Sequence, residues 1–257
     1  MNNVNSRIHS ADTRAQPALV FLHYFGGSSQ SWRFVVDHLE PSFRCISIDL
    51  PGFGSKSMLD EPSLKNYAIH VQAELEVLGI RHCILIGHSM GGKIALTCAV
   101  DDNFHPVIEG VILIAPSPPS FEAIEENKKK KMRRVADLKA SEAGVEADTI
   151  MKLTPDAFEV AVQSPLMVAD KARDWWLDDG TVESIAEQVS ALNIPVKLVV
   201  SKDDPAIDWD MTQQETIPNL PTKTEIVELT GIGHLMPLEN PELIANLIKN
   251  TRFINVI

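Results

Sequence analysis

Ile84-Leu85-Ile86-Gly87-His88-Ser89-Met90-Gly91-Gly92-Lys93-Ile94-Ala95-Leu96 is an apolar run that stops at a knot of small residues and resumes at once. The pattern predicts a buried strand, a sharp turn with Ser89 at its tip, and a helix directly after it. Ser89 lies in Gly-x-Ser-x-Gly, with Gly87 two residues before and Gly91 two after. In such an elbow the serine backbone is strained, and the flanking chain folds back so closely that side chains two positions away collide; glycine relieves the crowding. The turn lifts the hydroxyl clear of the sheet edge. It also points the Met90 amide, at the start of the helix, toward the place where an oxyanion would form. A bare Gly-x-Ser-x-Gly describes many ordinary turns, so it is the strand before and the helix after that make this one a mount for a nucleophile.

Upstream, residues 18–23 (ALVFLH) form an apolar run of strand length that ends at the turn-forming residues 26–29. Trp32, Val35, Val36 and Leu39 then recur at helical spacing before a second strand over 43–48, and a short strand is expected near residues 6–10. Residues 49–55 (DLPGFGS) are a loop by composition. Leu64, Ala68, Val71, Leu75 and Leu78 mark one face of a long helix that Ser63 can cap and Gly79 can end. Downstream, the elbow helix runs to about Val100, and residues 107–115 are another unbroken apolar strand.

From 116 to 180 the rhythm changes to helical segments rich in Lys, Glu and Ala, separated by Pro155, Pro165 and Gly180. The alternation returns with a helix over 182–192, a strand over 196–201, a helix around 211–217 and a strand over 224–229. A last helix is opened by Asn240-Pro241-Glu242, with Leu243, Ile244, Leu247 and Ile248 as its buried stripe. Strands that are apolar on both sides and alternate with amphipathic helices predict an α/β fold, with a mostly parallel central sheet flanked by helices. Residues 1–115 and 181–257 are then the two parts of the core, and 116–180 a small helical cap inserted over the strand ends.

A chain of 257 residues with 44% apolar composition can bury a large core in one domain. The formal net charge of −12 and pI of about 5.1 argue against nucleic acid or an anionic membrane as the main partner. No run approaches the roughly 18 continuous apolar residues of a membrane span, and the polar residues 1–16 offer no signal or anchor, so a cytoplasmic location is expected. Cys45, Cys83 and Cys98 are odd in number, lie in apolar segments and lack Cys-x-x-Cys spacing, which suggests neither a disulfide framework nor a metal site.

A serine hydroxyl needs a neighbouring base, and the base a third group that fixes its tautomer and stabilises its charged form. His234, in the glycine-rich loop after the 224–229 strand, and the adjacent pair Asp203-Asp204, just past the 196–201 strand, lie on loops expected to leave one edge of a parallel sheet. The chain order is Ser, Asp, His.

With these stretches assembled, the sequence resembles the α/β-hydrolase superfamily, in its serine-esterase-like branch with a helical cap. The resemblance rests on HYFGGSS at 23–29, DLPGFGSKS at 49–57, GHSMGG at 87–92, SKDDP at 201–205 and GIGHLMPLENP at 231–241. It implies Ser89 as nucleophile, His234 as general base and acid, and Asp204 as orienting carboxylate, with Asp203 its rival. It also implies an oxyanion hole made by the amides of Met90 and Phe25, although Tyr24 stands where the family pattern has glycine. The implied activity is hydrolysis of a small to medium, apolar carboxylic ester with no metal or cofactor, by a monomer or homodimer. Lactonase, thioesterase, amidase, perhydrolase and carbon–carbon hydrolase chemistry are alternatives. Serine at the elbow disfavours the dehalogenases and epoxide hydrolases of the superfamily, which carry Asp there, and Leu235 departs from the tryptophan of many carbon–carbon hydrolases. A reading of another class, a non-catalytic ligand receptor, is countered by the apparent triad.

Tyr24, His88, Trp175, Trp176 and Leu235 are candidates for the substrate pocket, His88 and the two tryptophans having a packing role as the alternative. His23 is read as a buried residue that fixes its loop. The basic run Lys128 to Lys131 with Arg133 and Arg134 is read as a solvated helix face paired with Glu122, Glu125 and Glu126.

Overall fold

The computed structural model describes residues 7–9, 16–40, 42–134 and 137–254; residues 6 and 10, at the ends of the expected first strand, lie outside them. Among the described residues seven strands form one sheet: β1 (Arg7–His9), β2 (Ala18–Leu22), β3 (Cys45–Ile48), β4 (His82–His88), β5 (Val107–Ile114), β6 (Val196–Ser201) and β7 (Glu225–Leu229). Their order is β1-β3-β2-β4-β5-β6-β7. Only β1 is antiparallel to its neighbour. The chain runs from β2 outward to β3 and then crosses back to the other side of β2 as β4. The crevice beside the carboxyl ends of β2 and β4 is therefore the point where strand order reverses, where open α/β sheets place their ligands.

The helices are α1 (Arg33–Leu39), α2 (Leu64–Val77), α3 (Met90–Val100), α4 (Glu126–Arg133), α5 (Leu138–Asp148), α6 (Pro155–Gln163), α7 (Asp170–Trp175), α8 (Ala186–Ser190), α9 (Trp209–Met211), α10 (Met236–Glu239) and α11 (Pro241–Lys249). Both sheet faces are covered, and strand residues alternate between them as the two-residue period requires. Leu19, Phe21, Ile84, Ile86, Ile112 and Ile114 pack on one side with α1 and α11, whereas Val20, Leu22, Leu85, Leu113 and Leu198 pack on the other with α2, α3 and α8. Burial on both faces is why these strands read as unbroken apolar runs.

The expected caps are in place. The Ser63 hydroxyl accepts from Asn66 N at 3.1 Å, and Gly79 follows the end of α2 with φ +66°. Asn240 caps α11 through Leu243 N at 3.1 Å. Other expectations are corrected. The 182–192 helix shrinks to α8, and the 211–217 helix to the single turn α9 followed by wider and tighter turns through Asn219. In α11 the buried residues are Ile244, Ala245 and Ile248, while Leu243 and Leu247 are only half-buried.

Between β5 and β6 the chain is helical. α5, α6 and the link between them pack Val145, Leu153, Ala157, Ala161 and Val162 against Tyr24, Leu235 and, in α10, Leu238. The basic run meets partners other than its sequence neighbours: Arg133 bonds Asp174 at 2.5 Å and Asp178 at 2.6 Å, at and beyond the end of α7. Lys128 Nζ donates to the Ala206 carbonyl at 3.2 Å. Glu122 precedes α4, is buried and accepts from the Ser117 hydroxyl, because the helix that would have aligned it with the lysines starts only at Glu126.

Candidate active site

β4 ends at His88, α3 begins at Met90, and Ser89 between them has φ 52° and ψ −118°, a left-handed conformation that costs a side-chain-bearing residue about 1–3 kcal/mol. The surroundings hold it there. Ser89 N donates to Ile114 O at 3.0 Å, and Ser89 O accepts from Gly92 N at 2.8 Å and Ser117 N at 3.0 Å. A Cβ on Gly87 would lie 2.5 Å from Gly92 Cα, and one on Gly91 would lie 2.6 Å from the His23 carbonyl oxygen. The two glycines thus serve different approaches: Gly87 lets the elbow close on itself, and Gly91 lets α3 press against the end of β2. Ser89 is 8% exposed, and its own amide is engaged. The Met90 amide stands in the first turn of α3, where helix geometry supplies no intrahelical acceptor.

Asp204 and His234 leave the same sheet edge after β6 and β7. His234 Nδ1 lies 2.8 Å from Asp204 Oδ2, with the two side chains 6% and 2% exposed. The other carboxylate oxygen, Oδ1, accepts from Ala206 N at 2.8 Å and Ile207 N at 3.0 Å, which fixes the carboxylate plane. Burial opposes ionisation of Asp204, yet the His234 charge and the hydrogen bonds outweigh it and leave its pKa below the ordinary value. Burial likewise opposes charging of His234, and the charge and hydrogen bond of Asp204 outweigh it, so the imidazole pKa is raised. Asp203 instead faces solvent and accepts from Gly231 N at 2.7 Å, bracing the His234 loop.

The neighbouring histidines are held by backbone. His23 Nε2 accepts from Leu50 N at 3.1 Å, so Nδ1 carries the proton it donates to Tyr24 O at 2.8 Å; burial keeps this imidazole neutral and ties the end of β2 to the chain after β3. His88 Nε2 donates to the His234 carbonyl at 2.8 Å, and burial pushes its pKa down to about 3. Its ring centroid is 5.1 Å from those of both Tyr24 and His234. His88 therefore supports the loop from beneath.

Tyr24 and Leu235 are buried in the apolar cluster that joins the insertion to the core, and Phe25 is half-buried beside Phe53 with ring centroids 6.1 Å apart. Both tryptophans are turned into the core, Trp175 4% and Trp176 2% exposed. Trp175 stacks on Tyr67 of α2 at 4.3 Å and 14°, so its ring face is occupied by packing between α7 and α2. Asp49 accepts from Ser29 N at 2.7 Å and Ser55 N at 3.3 Å beneath the site.

Four charged side chains lie near these loops, Lys93, Glu122 and Glu239 buried and Asp148 half-buried; sequence reasoning singled out only Glu122 among them, and that as a partner for the lysines. Lys93 on α3 donates to Ser120 O at 2.9 Å, and burial lowers its pKa to about 8 against the attraction of Glu122. Glu122 is itself raised by burial. Asp148, at the end of α5, has its pKa raised by burial and adds negative potential at His234. Glu239 gathers three backbone N–H groups. A Glu five residues after the loop histidine was the one visible signal. Among the described residues, no group of three or more His, Cys, Asp or Glu side chains is arranged to hold a metal ion, and no helix is long and apolar enough to cross a membrane.

An elbow serine at the crossover point, with a carboxylate–imidazole pair on the same sheet edge, defines a class, and residues 19–247 match the alpha/beta hydrolase family. The chain belongs to that family, and hydrolase is its general class. It is 25% identical over 270 residues to the uncharacterized hydrolase YugF of Bacillus subtilis, covering 97% of this chain and 95% of that one. A second relative, epoxide hydrolase 3 of Xenopus tropicalis, is 34% identical over 130 residues, but the match spans 47% of this chain and only 34% of that protein. The fold is also that of the esterase from Exiguobacterium antarcticum, with a TM-score of 0.80, 14% identity and coverage of 95% and 92% of the two chains.

Proposed function

We propose that the protein is a serine hydrolase that cleaves a carboxylic ester through an acyl-enzyme. The observation that carries this reading is the pairing of a strained elbow serine with a buried imidazole whose Nδ1 is engaged by Asp204 at 2.8 Å. An Nδ1–H donated to a carboxylate leaves Nε2 as the ring's basic nitrogen. Ser89 gives its proton to His234 Nε2 and attacks the ester carbonyl. The amides of Met90 and Phe25 hold the oxyanion. His234 returns the proton to the leaving alcohol, then takes one from the water that releases the acid. The serine at the elbow favours this route over an epoxide-opening one, whose nucleophile in this superfamily is Asp. Residues 116–180 act as the cap, and its apolar contacts with Tyr24 and Leu235 favour a small to medium apolar acyl or alcohol group.

Ser89→Ala is expected to abolish hydrolysis of p-nitrophenyl butyrate and labelling by a fluorophosphonate. Labelling of the Ser89→Ala protein at another residue would refute the nucleophile assignment. A panel of esters, lactones and thioesters of graded chain length, run against wild type and this variant, separates ester cleavage from the related acyl transfers.

A further inference from the structure

Glu239 ends the single turn α10, and its side chain is folded back over that turn. One of its oxygens, Oε2, accepts from Gly233 N at 2.9 Å, Ile150 N at 2.9 Å and Met151 N at 2.8 Å. The first donor precedes His234 directly; the other two follow the end of α5 in the insertion. A fourth bond joins the same segments: His234 N donates at 2.8 Å to the Asp148 carbonyl, one of the acceptors that the last turn of α5 leaves without an intrahelical partner.

The two segments approach so closely that a Cβ on Gly233 would lie 2.7 Å from Asp148 O, 2.8 Å from Ile150 N and 2.9 Å from Glu239 Oε1. Two of those atoms are backbone and cannot swing aside. Gly233 has no positive φ, so glycine is needed here for proximity and not for conformation.

We infer that Glu239 is a positioning residue for His234: a latch that fixes the base-bearing loop against the insertion, so that the imidazole is presented to Ser89 only when residues 148–151 are seated. This rests on the proposed role of His234 as base. Asp204 sets the ring's tautomer and rotation, whereas the latch sets where the backbone that carries the ring stands. A carboxylate suits the task because one ionised oxygen can receive several N–H groups, and charge-assisted bonds are about twice as strong as neutral ones. Displacing the base loop by even a fraction of an ångström lengthens the proton-transfer distance, to which acyl transfer is sensitive.

The test compares folded wild type, Glu239→Leu, Glu239→Gln, Gly233→Ala and His234→Ala, using the rate of Ser89 labelling by a fluorophosphonate and kcat and KM for p-nitrophenyl butyrate. For Glu239→Leu and Gly233→Ala, labelling and kcat are expected to fall about tenfold or more, with KM within about twofold, since ester binding is not what the latch serves. Glu239→Gln, nearly isosteric but a neutral acceptor, is expected to keep about a third of the rate. It also keeps the test open if the other two variants do not fold. Its backbone amides at 149–151 and 233–235 are expected to exchange hydrogen faster together, while those of Ala206 and Ile207 are unchanged. Wild-type rates and exchange in Glu239→Gln, or wild-type labelling of folded Glu239→Leu, would overturn the latch while an inert His234→Ala upheld the base. Labelling of His234→Ala at the wild-type rate would overturn the base role itself.

Discussion

Asp204→Asn changes one atom and reverses one hydrogen bond. The native carboxylate, 2% exposed at its side chain, uses Oδ1 for the amides of Ala206 and Ile207 and Oδ2 for His234 Nδ1. The single oxygen of Asn keeps the two backbone bonds, at 2.8 and 3.0 Å in the native protein, so its NH2 stands where Oδ2 stood and faces the ring as a donor. The imidazole relieves the donor–donor clash by moving its proton to Nε2, and a ring protonated there cannot accept the proton of Ser89. With the geometry otherwise intact, kcat is expected to fall by about 10⁴, or about 5 kcal/mol of barrier. The fold loses a single charge-assisted bond, about 1.5–3 kcal/mol. The pH profile moves with a definite sign. Asp204 holds the His234 pKa up, so removing its charge lets burial bring it down, and the acid limb of the residual rate shifts to lower pH. Asp203→Asn, which keeps an oxygen for the exposed bond to Gly231 N and loses only its charge, is expected to keep kcat within about threefold. The assay is the pH–rate profile of p-nitrophenyl butyrate hydrolysis for the three proteins. A larger loss in Asp203→Asn than in Asp204→Asn, or an Asp204→Asn kcat within tenfold of wild type, refutes the assignment.

Other expectations follow from the same contacts. Asp148→Asn keeps the carbonyl that holds His234 N but removes a negative charge that raises its pKa, so the acid limb of kcat/KM is expected to move to lower pH with plateau kcat within about threefold; a shift to higher pH would contradict the electrostatics. In Gly91→Ala the added methyl meets backbone at the end of β2, 2.6 Å from the His23 carbonyl oxygen, and a destabilisation of about 1–3 kcal/mol is expected as a lower urea midpoint, with a wild-type midpoint as the contrary result. Trp175→Ala removes a ring stacked at 4.3 Å on Tyr67 and is expected to cost about 3–5 kcal/mol, read from chemical denaturation. A loss below about 1 kcal/mol would mean that the stack adds little to holding α7 on the core.

The core was legible because its strands are buried on both faces, which leaves unbroken apolar runs, and because its helices carry caps such as Ser63 and Asn240. The elbow was legible for a steric reason: Gly87 and Gly91 sit where no side chain fits. The insertion gave helices but not their placement, since Tyr24, Leu235 and the α5–α6 residues that pack on them are far apart in sequence. Charge pairing misled for the same reason. Glu122 looked like a helical partner for the lysines, but it precedes α4 and its neighbours are Ser117 and Lys93. The adjacent tryptophans looked like pocket candidates with packing as the alternative, since neighbouring helix positions point in different directions; both are buried in the core, and the helix widens over Trp176–Gly180. Glu239 could be seen as a carboxylate near His234, but nothing local to it says that it reaches residue 150.

The peptide of His234 is gripped from both sides, its N–H by the Asp148 carbonyl and its C=O by the His88 ring, each at 2.8 Å. One jaw of this vise belongs to the insertion and the other to the last residue of β4. Transplanting Ser89, Asp204 and His234 onto a foreign barrel or sheet would therefore carry those side chains without their jig. The smallest portable workpiece includes β4, the end of α5, the loop after β6 and the loop through Glu239, and a designer trimming the insertion for compactness would loosen the very histidine the graft was meant to deliver.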